Sequence, residues 1–109
     1  MAGAFDLKRS KDQFMWNLKS GNGQVVLTSE RYKTRRAAQA GIASVKKNCG
    51  RDACYARKTT ASGKYRFNLL ATNGQVIGTS QSYASASGRN NGIASVKKNA
   101  RGAKVEDWT

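Results

Sequence analysis

An eight-residue word occurs twice in this chain. Gly41-Ile42-Ala43-Ser44-Val45-Lys46-Lys47-Asn48 returns unchanged as Gly92-Ile93-Ala94-Ser95-Val96-Lys97-Lys98-Asn99. An uninterrupted match of this length within 109 residues marks an internal repeat. The same 51-residue spacing maps Asn22-Gly23-Gln24-Val25 onto Asn73-Gly74-Gln75-Val76, Thr28-Ser29 onto Thr79-Ser80, and Tyr32 onto Tyr83. Ahead of Phe14 and its counterpart Tyr65, one inserted residue is needed to keep the alignment. A unit of about 50 residues can cover its apolar faces only marginally by itself. Two units sharing one core are therefore expected, as a single domain over residues 1–109 with repeat 1 at about 5–53 and repeat 2 at about 54–109.

The local patterns describe the unit. Phe5-Asp6-Leu7-Lys8 alternates as a short strand, and Arg9 to Gln13 reads as a polar turn. In Phe14–Lys19, Phe14, Trp16 and Leu18 share one strand face, as Tyr65, Phe67 and Leu69 do later. Ser20-Gly21-Asn22-Gly23 is expected to be a hairpin turn of type I′, on the preference of Asn-Gly for positive φ. Gln24–Thr28 returns as a strand whose inward register is open, because Val25 and Val26 are both apolar.

The period then changes. Thr34 suits an N-cap, and Ala38, Ile42, Val45 and Cys49 fall on one helical face. Gly41 costs about 1 kcal/mol against alanine in a helix interior, and a close approach of the helix backbone to the sheet would offset this. Lys46 and Lys47 occupy the last turn, where the helix dipole favours cations, and Asn48 suits a left-handed terminating position. Cys49–Ala53 connects to a strand at Tyr55–Thr59 and a turn at Thr60–Gly63. The second helix opens at about Ser85 and ends at Asn99, and Lys104–Trp108 reads as a last strand. Each repeat thus runs β-β-β-α-β. Two such units sharing a sheet make a two-layer α+β domain, pseudo-twofold, with one mostly antiparallel sheet packed by two helices.

The doubled Asn-Gly-Gln-Val, Thr-Ser-x-x-Tyr and Gly-Ile-Ala-Ser-Val-Lys-Lys-Asn words resemble the YegP-like family of small, uncharacterised bacterial proteins, over nearly the whole chain. The resemblance implies tandem units in one antiparallel sheet with C-terminal strands exchanged between repeats, so that Lys104–Trp108 would pair with the first repeat. It implies no activity and carries over no catalytic or ligand residue. The two repeats differ at Leu27/Gly78, Glu30/Gln81 and Ala38/Arg89, so two sites built there would not be equivalent.

Chemistry is sparse. Histidine is absent, which removes the commonest general base and neutral metal ligand. Cys49 and Cys54 are too few for a structural zinc site and are expected to be free thiols, with Cys49 a small buried position like its counterpart Ala100. Gly21-Asn22-Gly23 precedes a strand and not a helix, so it is no phosphate loop. Ser29 and Ser80 are expected to satisfy backbone groups at strand ends. No cofactor, metal or enzymatic activity is expected.

Charge is the one functional signal. Twenty basic residues against six acidic give a net charge of +14, which draws a protein to polyanions. Residues 1–54 carry eleven basic and four acidic groups and residues 55–109 nine and two, so there is no separate basic arm. The candidate polyanion contacts are Arg31, Lys33, Arg35, Arg36, Lys46, Lys47, Lys97 and Lys98. Arg31–Arg36 is the one local basic cluster; repeat 2 has Ser82-Tyr83-Ala84-Ser85-Ala86-Ser87 there. Two readings follow: a structural or protein-interaction module using a sheet edge, and a binder of nucleic acid or an acidic protein through the basic surface. No membrane association is expected, the chain is read as cytoplasmic, and a monomer with weak self-association is expected.

Overall fold

The repeat appears as a mirrored order of strands. The computed structural model describes residues 3–109. Among these, β1 (Ala4–Ser10), β2 (Gln13–Lys19), β3 (Val25–Ser29), β4 (Tyr55–Thr59), β5 (Tyr65–Leu70), β6 (Val76–Thr79) and β7 (Lys104–Asp107) form one sheet in the order β4-β5-β6-β3-β2-β1-β7. Its pseudo-twofold lies between β3 and β6, where Thr28 pairs with its own counterpart Thr79. Neighbouring strands are antiparallel except β7, which runs parallel to β1. Helices α1 (Arg35–Asn48) and α2 (Ala86–Asn99) follow the third strand of each repeat.

The C-terminal strand crosses between repeats. β4 pairs with β5 as β1 pairs with β2, whereas β7 follows α2 of the second repeat yet pairs with β1 of the first. One apolar cluster results. It joins Phe5, Leu7, Trp16 and Leu18 to Phe67 and Leu69, under Ala38, Ile42 and Val45 of α1 and Ile93 and Val96 of α2. Within each strand these residues alternate, and the register carries them across the sheet on one side, Phe5 opposite Leu18, Leu18 opposite Leu27, Ser29 opposite Gly78 and Gly78 opposite Leu69, so both helices cover the same sheet face.

Some local expectations change. The turn read at Arg9–Gln13 is only Lys11-Asp12: Ser10 pairs with Gln13, and Lys11 takes φ 58°. The counterpart hairpin is one residue longer and closes at Gly63 with φ 82°, which locates the insertion between the repeats. The Asn22-Gly23 hairpin is not type I′, since Lys11 is the only non-glycine with positive φ among the described residues. It is a three-residue turn closed by a left-handed glycine: Gly23 N–H donates to Ser20 O (2.9 Å) and Ser20 N–H to Gln24 O (2.9 Å). Asn22 contributes through its side chain, which accepts from Gln24 N–H (3.2 Å).

A bulge resolves the register of β3. Leu18 pairs with Leu27 and Lys19 with Val25, so Val26 is the extra residue, and both Val26 and Leu27 are buried. Ile77 is skipped in the same way between Val76 and Gly78.

The helices start as expected, with Thr34 Oγ1 accepting from Ala37 N–H (3.0 Å) and Ser85 Oγ from Gly88 N–H (3.0 Å). They end differently. Asn48 is helical and buried, and its Nδ2 donates to Ser44 O (2.9 Å); Asn99 does the same to Ser95 O (2.8 Å). No left-handed residue closes either helix. The close approach at Gly41 is to aromatic side chains and not to the sheet backbone. A Cβ there would lie 2.9 Å from Tyr32 Cζ and 3.2 Å from Trp16 Nε1, and one at Gly92 would lie 2.7 Å from Tyr83 Cζ.

Candidate interaction edge and basic surface

The candidate basic residues do not form one patch. Arg31, Lys33, Arg35 and Arg36 are exposed around the start of α1. Lys46 and Lys47 lie at its other end, about 15–20 Å away at the helical rise. Lys97 and Lys98 close α2 in the other repeat.

Several of these charges are engaged internally. Arg35 sits in the first turn of α1, where a cation opposes the helix dipole. It pairs with Asp107 of β7 and donates through Nε to Thr109 Oγ1 (3.1 Å). The Arg35 guanidinium and the Thr109 hydroxyl hold the Asp107 carboxyl down to a pKa of about 2. Arg35 therefore ties the exchanged strand to the first repeat. Lys46 Nζ lies 5.9 Å from the centre of the Phe5 ring, and Lys97 Nζ lies 5.5 Å from that of Tyr55. Each of these cations covers the first strand's aromatic residue. Lys97 also reaches Asp52 Oδ1 (3.2 Å). Among the described residues, Arg31, Lys33, Arg36, Lys47 and Lys98 make no ion pair.

The serine expectation holds on both sides of the pseudo-twofold. Ser29 Oγ accepts from Trp16 N–H (2.9 Å) and donates to Glu30 O (2.7 Å). Ser80 does so for Phe67 N–H (2.9 Å) and Gln81 O (2.8 Å). Both thiols are buried and free, and Cys49 and Ala100 are equally inaccessible. Among the described residues no three His, Cys, Asp or Glu side chains cluster as metal ligands, and no helix is long and apolar enough to cross a membrane.

Two clefts repeat between a helix and the opposite repeat's hairpin. One, of about 430 Å³, is lined by Glu30, Tyr32, Ala40, Gly41, Ser44 and Ile77. The other, of about 620 Å³, is lined by Gln24, Asn91, Ser95 and Lys98. Ala40 in the first corresponds to Asn91 in the second, and Glu30 of the first has no acidic counterpart in the lining of the second, so the pair is chemically unlike.

The ends of the sheet are the other asymmetry. β1 and β4 are equivalent in position: Phe5 pairs with Leu18 as Tyr55 pairs with Leu69. Beyond β1 lies β7, with Trp108 N–H donating to Leu7 O (2.8 Å). Beyond β4 no strand lies among the described residues. The outward direction of its polar groups follows from β5. Phe67 N–H and C=O are both committed to Ser80 (2.9 Å each), so Arg57, opposite Phe67, directs its own N–H and C=O away from the sheet. Arg57 and Lys58 on this edge were not among the candidate residues. They carry no motif, and only the strand order makes them an edge.

The domain of unknown function DUF1508 matches residues 10–55 and again residues 61–107. The chain is 53% identical over 109 residues to a UPF0339 protein of Bordetella pertussis, covering all of this chain and 98% of the relative. It is 50% identical over 110 residues to the UPF0339 protein YegP of Escherichia coli, with both chains fully covered. The solution structure of the Escherichia coli protein, described as of unknown function, matches with a TM-score of 0.94, covering all of this chain and 95% of that one. That of a UPF0339 protein from Shewanella oneidensis, 46% identical, matches with a TM-score of 0.93, covering 100% and 93%.

Proposed function

This chain belongs to the DUF1508 family, and from that premise we propose that it is a non-enzymatic protein-interaction module that receives a partner strand along β4. The supporting observation is the unequal pair of sheet ends. One position takes a strand from the chain itself, and its counterpart presents unpaired backbone groups at Arg57. Such an edge is a template for strand addition. The absence of histidine, the commonest general base, favours binding over catalysis. The test is amide hydrogen exchange of the full chain with and without an extended peptide of alternating valine and threonine. Slowed exchange at Arg57 and Thr59 is expected. Unchanged β4 exchange with every extended peptide tried would remove the reading.

A second reading rests on the net charge of +14 and the unpaired Arg31, Lys33 and Arg36, which suit a nucleic acid or other polyanion. Binding of single- and double-stranded oligonucleotides at about 50 and 200 mM salt separates the two. The interaction module predicts weak, sequence-blind binding lost at the higher salt, whereas tight binding with a sequence preference would favour the polyanion reading.

A further inference from the structure

The strand already held at the other end of the sheet indicates what the open edge can take. β7 lies on β1 in parallel, with Phe5 opposite Val105, Asp6 opposite Glu106 and Leu7 opposite Asp107. It carries two of the chain's six carboxylates. β4 repeats the backbone geometry of β1: Leu7 sits opposite Trp16, whose N–H is taken by Ser29, and Arg57 sits opposite Phe67, whose N–H is taken by Ser80. The outward-facing backbone groups therefore recur at the same place along the strand.

The side chains differ. Where β1 offers Phe5-Asp6-Leu7-Lys8, β4 offers Tyr55-Ala56-Arg57-Lys58. Placed on β4 in the register of β7, a strand would set the position of Asp107 opposite Arg57 and the next position opposite Lys58. Arg66 pairs with Lys58 from the adjoining strand, and Lys97 lies over Tyr55, so the edge is lined with cations. Among the described residues the one acidic group paired with it is Asp52, which is two-thirds exposed and already shared by Arg57 (3.2 Å) and Lys97 (3.2 Å). Lys58 and Arg66, opposite one another with no carboxylate between them, are like charges that an incoming acidic residue would relieve. The same cations oppose pairing with a basic edge, a second copy's β4 included, which limits indiscriminate association of the open strand.

We propose that the outer edge of β4 binds an extended acidic segment of another protein, added in parallel across Tyr55–Thr59 with its carboxylates at Arg57 and Lys58. This rests on the reading of β4 as a docking edge and names the chemistry of its partner.

The test titrates the isotopically labelled full chain with a capped valine–glutamate peptide carrying two adjacent glutamates, which direct carboxylates to both faces of the strand, a valine–lysine counterpart of the same order, and the neutral valine–threonine peptide. The acidic peptide is expected to shift and protect the Arg57 and Thr59 amides, and the lysine peptide to leave them unchanged. A spin label on the acidic peptide's N-terminus should broaden the Tyr55 end of β4 and spare the Thr59 end. Arg57→Glu/Lys58→Glu should weaken the acidic peptide at least about tenfold, while Arg31→Glu/Lys33→Glu should change it by no more than about twofold. Equal losses in both variants would reduce the effect to general charge attraction and overturn the proposal. So would tighter binding of a peptide copying residues 103–109 than of the valine–glutamate peptide, which would make a second copy's β7 the occupant. Protection of β4 by the neutral peptide alone would overturn the acidic partner yet keep the docking edge. Protection by none of the peptides would end both. Arg57 and Lys58 are exposed, and the amide spectrum of each variant reports its fold directly.

Discussion

Gly41 and Gly92 sit inside helices, where alanine would be favoured by about 1 kcal/mol on propensity alone. Each is pressed against a tyrosine phenol on the segment following the third strand. A Cβ at Gly41 would fall 2.9 Å from Tyr32 Cζ and closer still to the hydroxyl, and the phenol is wedged beside Trp16. Overpacking of this kind costs about 1–3 kcal/mol, more than the propensity gain. Gly41→Ala should therefore lower stability in denaturant unfolding. Adding Tyr32→Phe removes the nearest atom, so the double variant should recover at least about 0.5 kcal/mol relative to additivity. A stabilised Gly41→Ala chain would show that the helix can shift away from the sheet.

The element under the most specific control is β7. It buries little apolar surface: Val105 is 44% and Trp108 68% exposed. Side-chain bonds hold it, from Arg35 to Asp107 and from Trp108 Nε1 to Asp6 Oδ1 (3.4 Å). Burial alone would raise the Asp6 pKa, but the Lys19 ammonium at 2.6 Å and the Trp108 N–H outweigh it and keep the carboxyl below the usual range. Both carboxylates are thus more acidic folded than unfolded. Their contribution is complete above a pH of about 4 and is lost as the pH falls, for Asp107 on approaching its folded value of about 2. Between these values β7 should loosen before the central strands, seen as faster amide exchange at Val105–Asp107 and a shift in Trp108 fluorescence while Trp16 stays buried. Arg35→Ala should produce part of the same loosening at neutral pH. Simultaneous loss of β7 and β2 protection would contradict this ranking.

For the molecule as a whole, the join between repeats depends on one departure from symmetry. Leu27 and Gly78 are counterparts set diagonally across the β3–β6 contact, where Gly78 pairs with Ser29, and a Cβ on Gly78 would lie 2.7 Å from Leu27 Cγ. One leucine fills the space that two would contest. Gly78→Ala should destabilise the whole chain by about 1–3 kcal/mol, and Leu27→Ala by about 2–5 kcal/mol through the cavity it opens. The two together should cost less than their sum, because the new methyl group occupies part of the vacated volume. Equilibrium unfolding of the three variants checks this, and additive losses would mean the two positions do not share a space.

Much of the architecture was legible because it is local. The doubled octapeptide announced two units, and the alternation at Phe14, Trp16 and Leu18 and the Ala38, Ile42, Val45, Cys49 stripe named the buried faces. Thr34 and Ser85 signalled helix starts through hydroxyl chemistry that needs no distant partner. What only the folded chain decided is non-local. Periodicity tells which face of a strand is buried but not which strand lies beside it. The Val25/Val26 ambiguity was settled by a bulge against β2, Asn48 turned inward to its own helix, and Arg35 met a carboxylate seventy-two residues away. The edge at β4 arises in the same way. The described residues supply seven strands, and in their order β1 and β4 take equivalent places. The remaining strand, β7, lies beyond β1, so its counterpart site beside Arg57 is open.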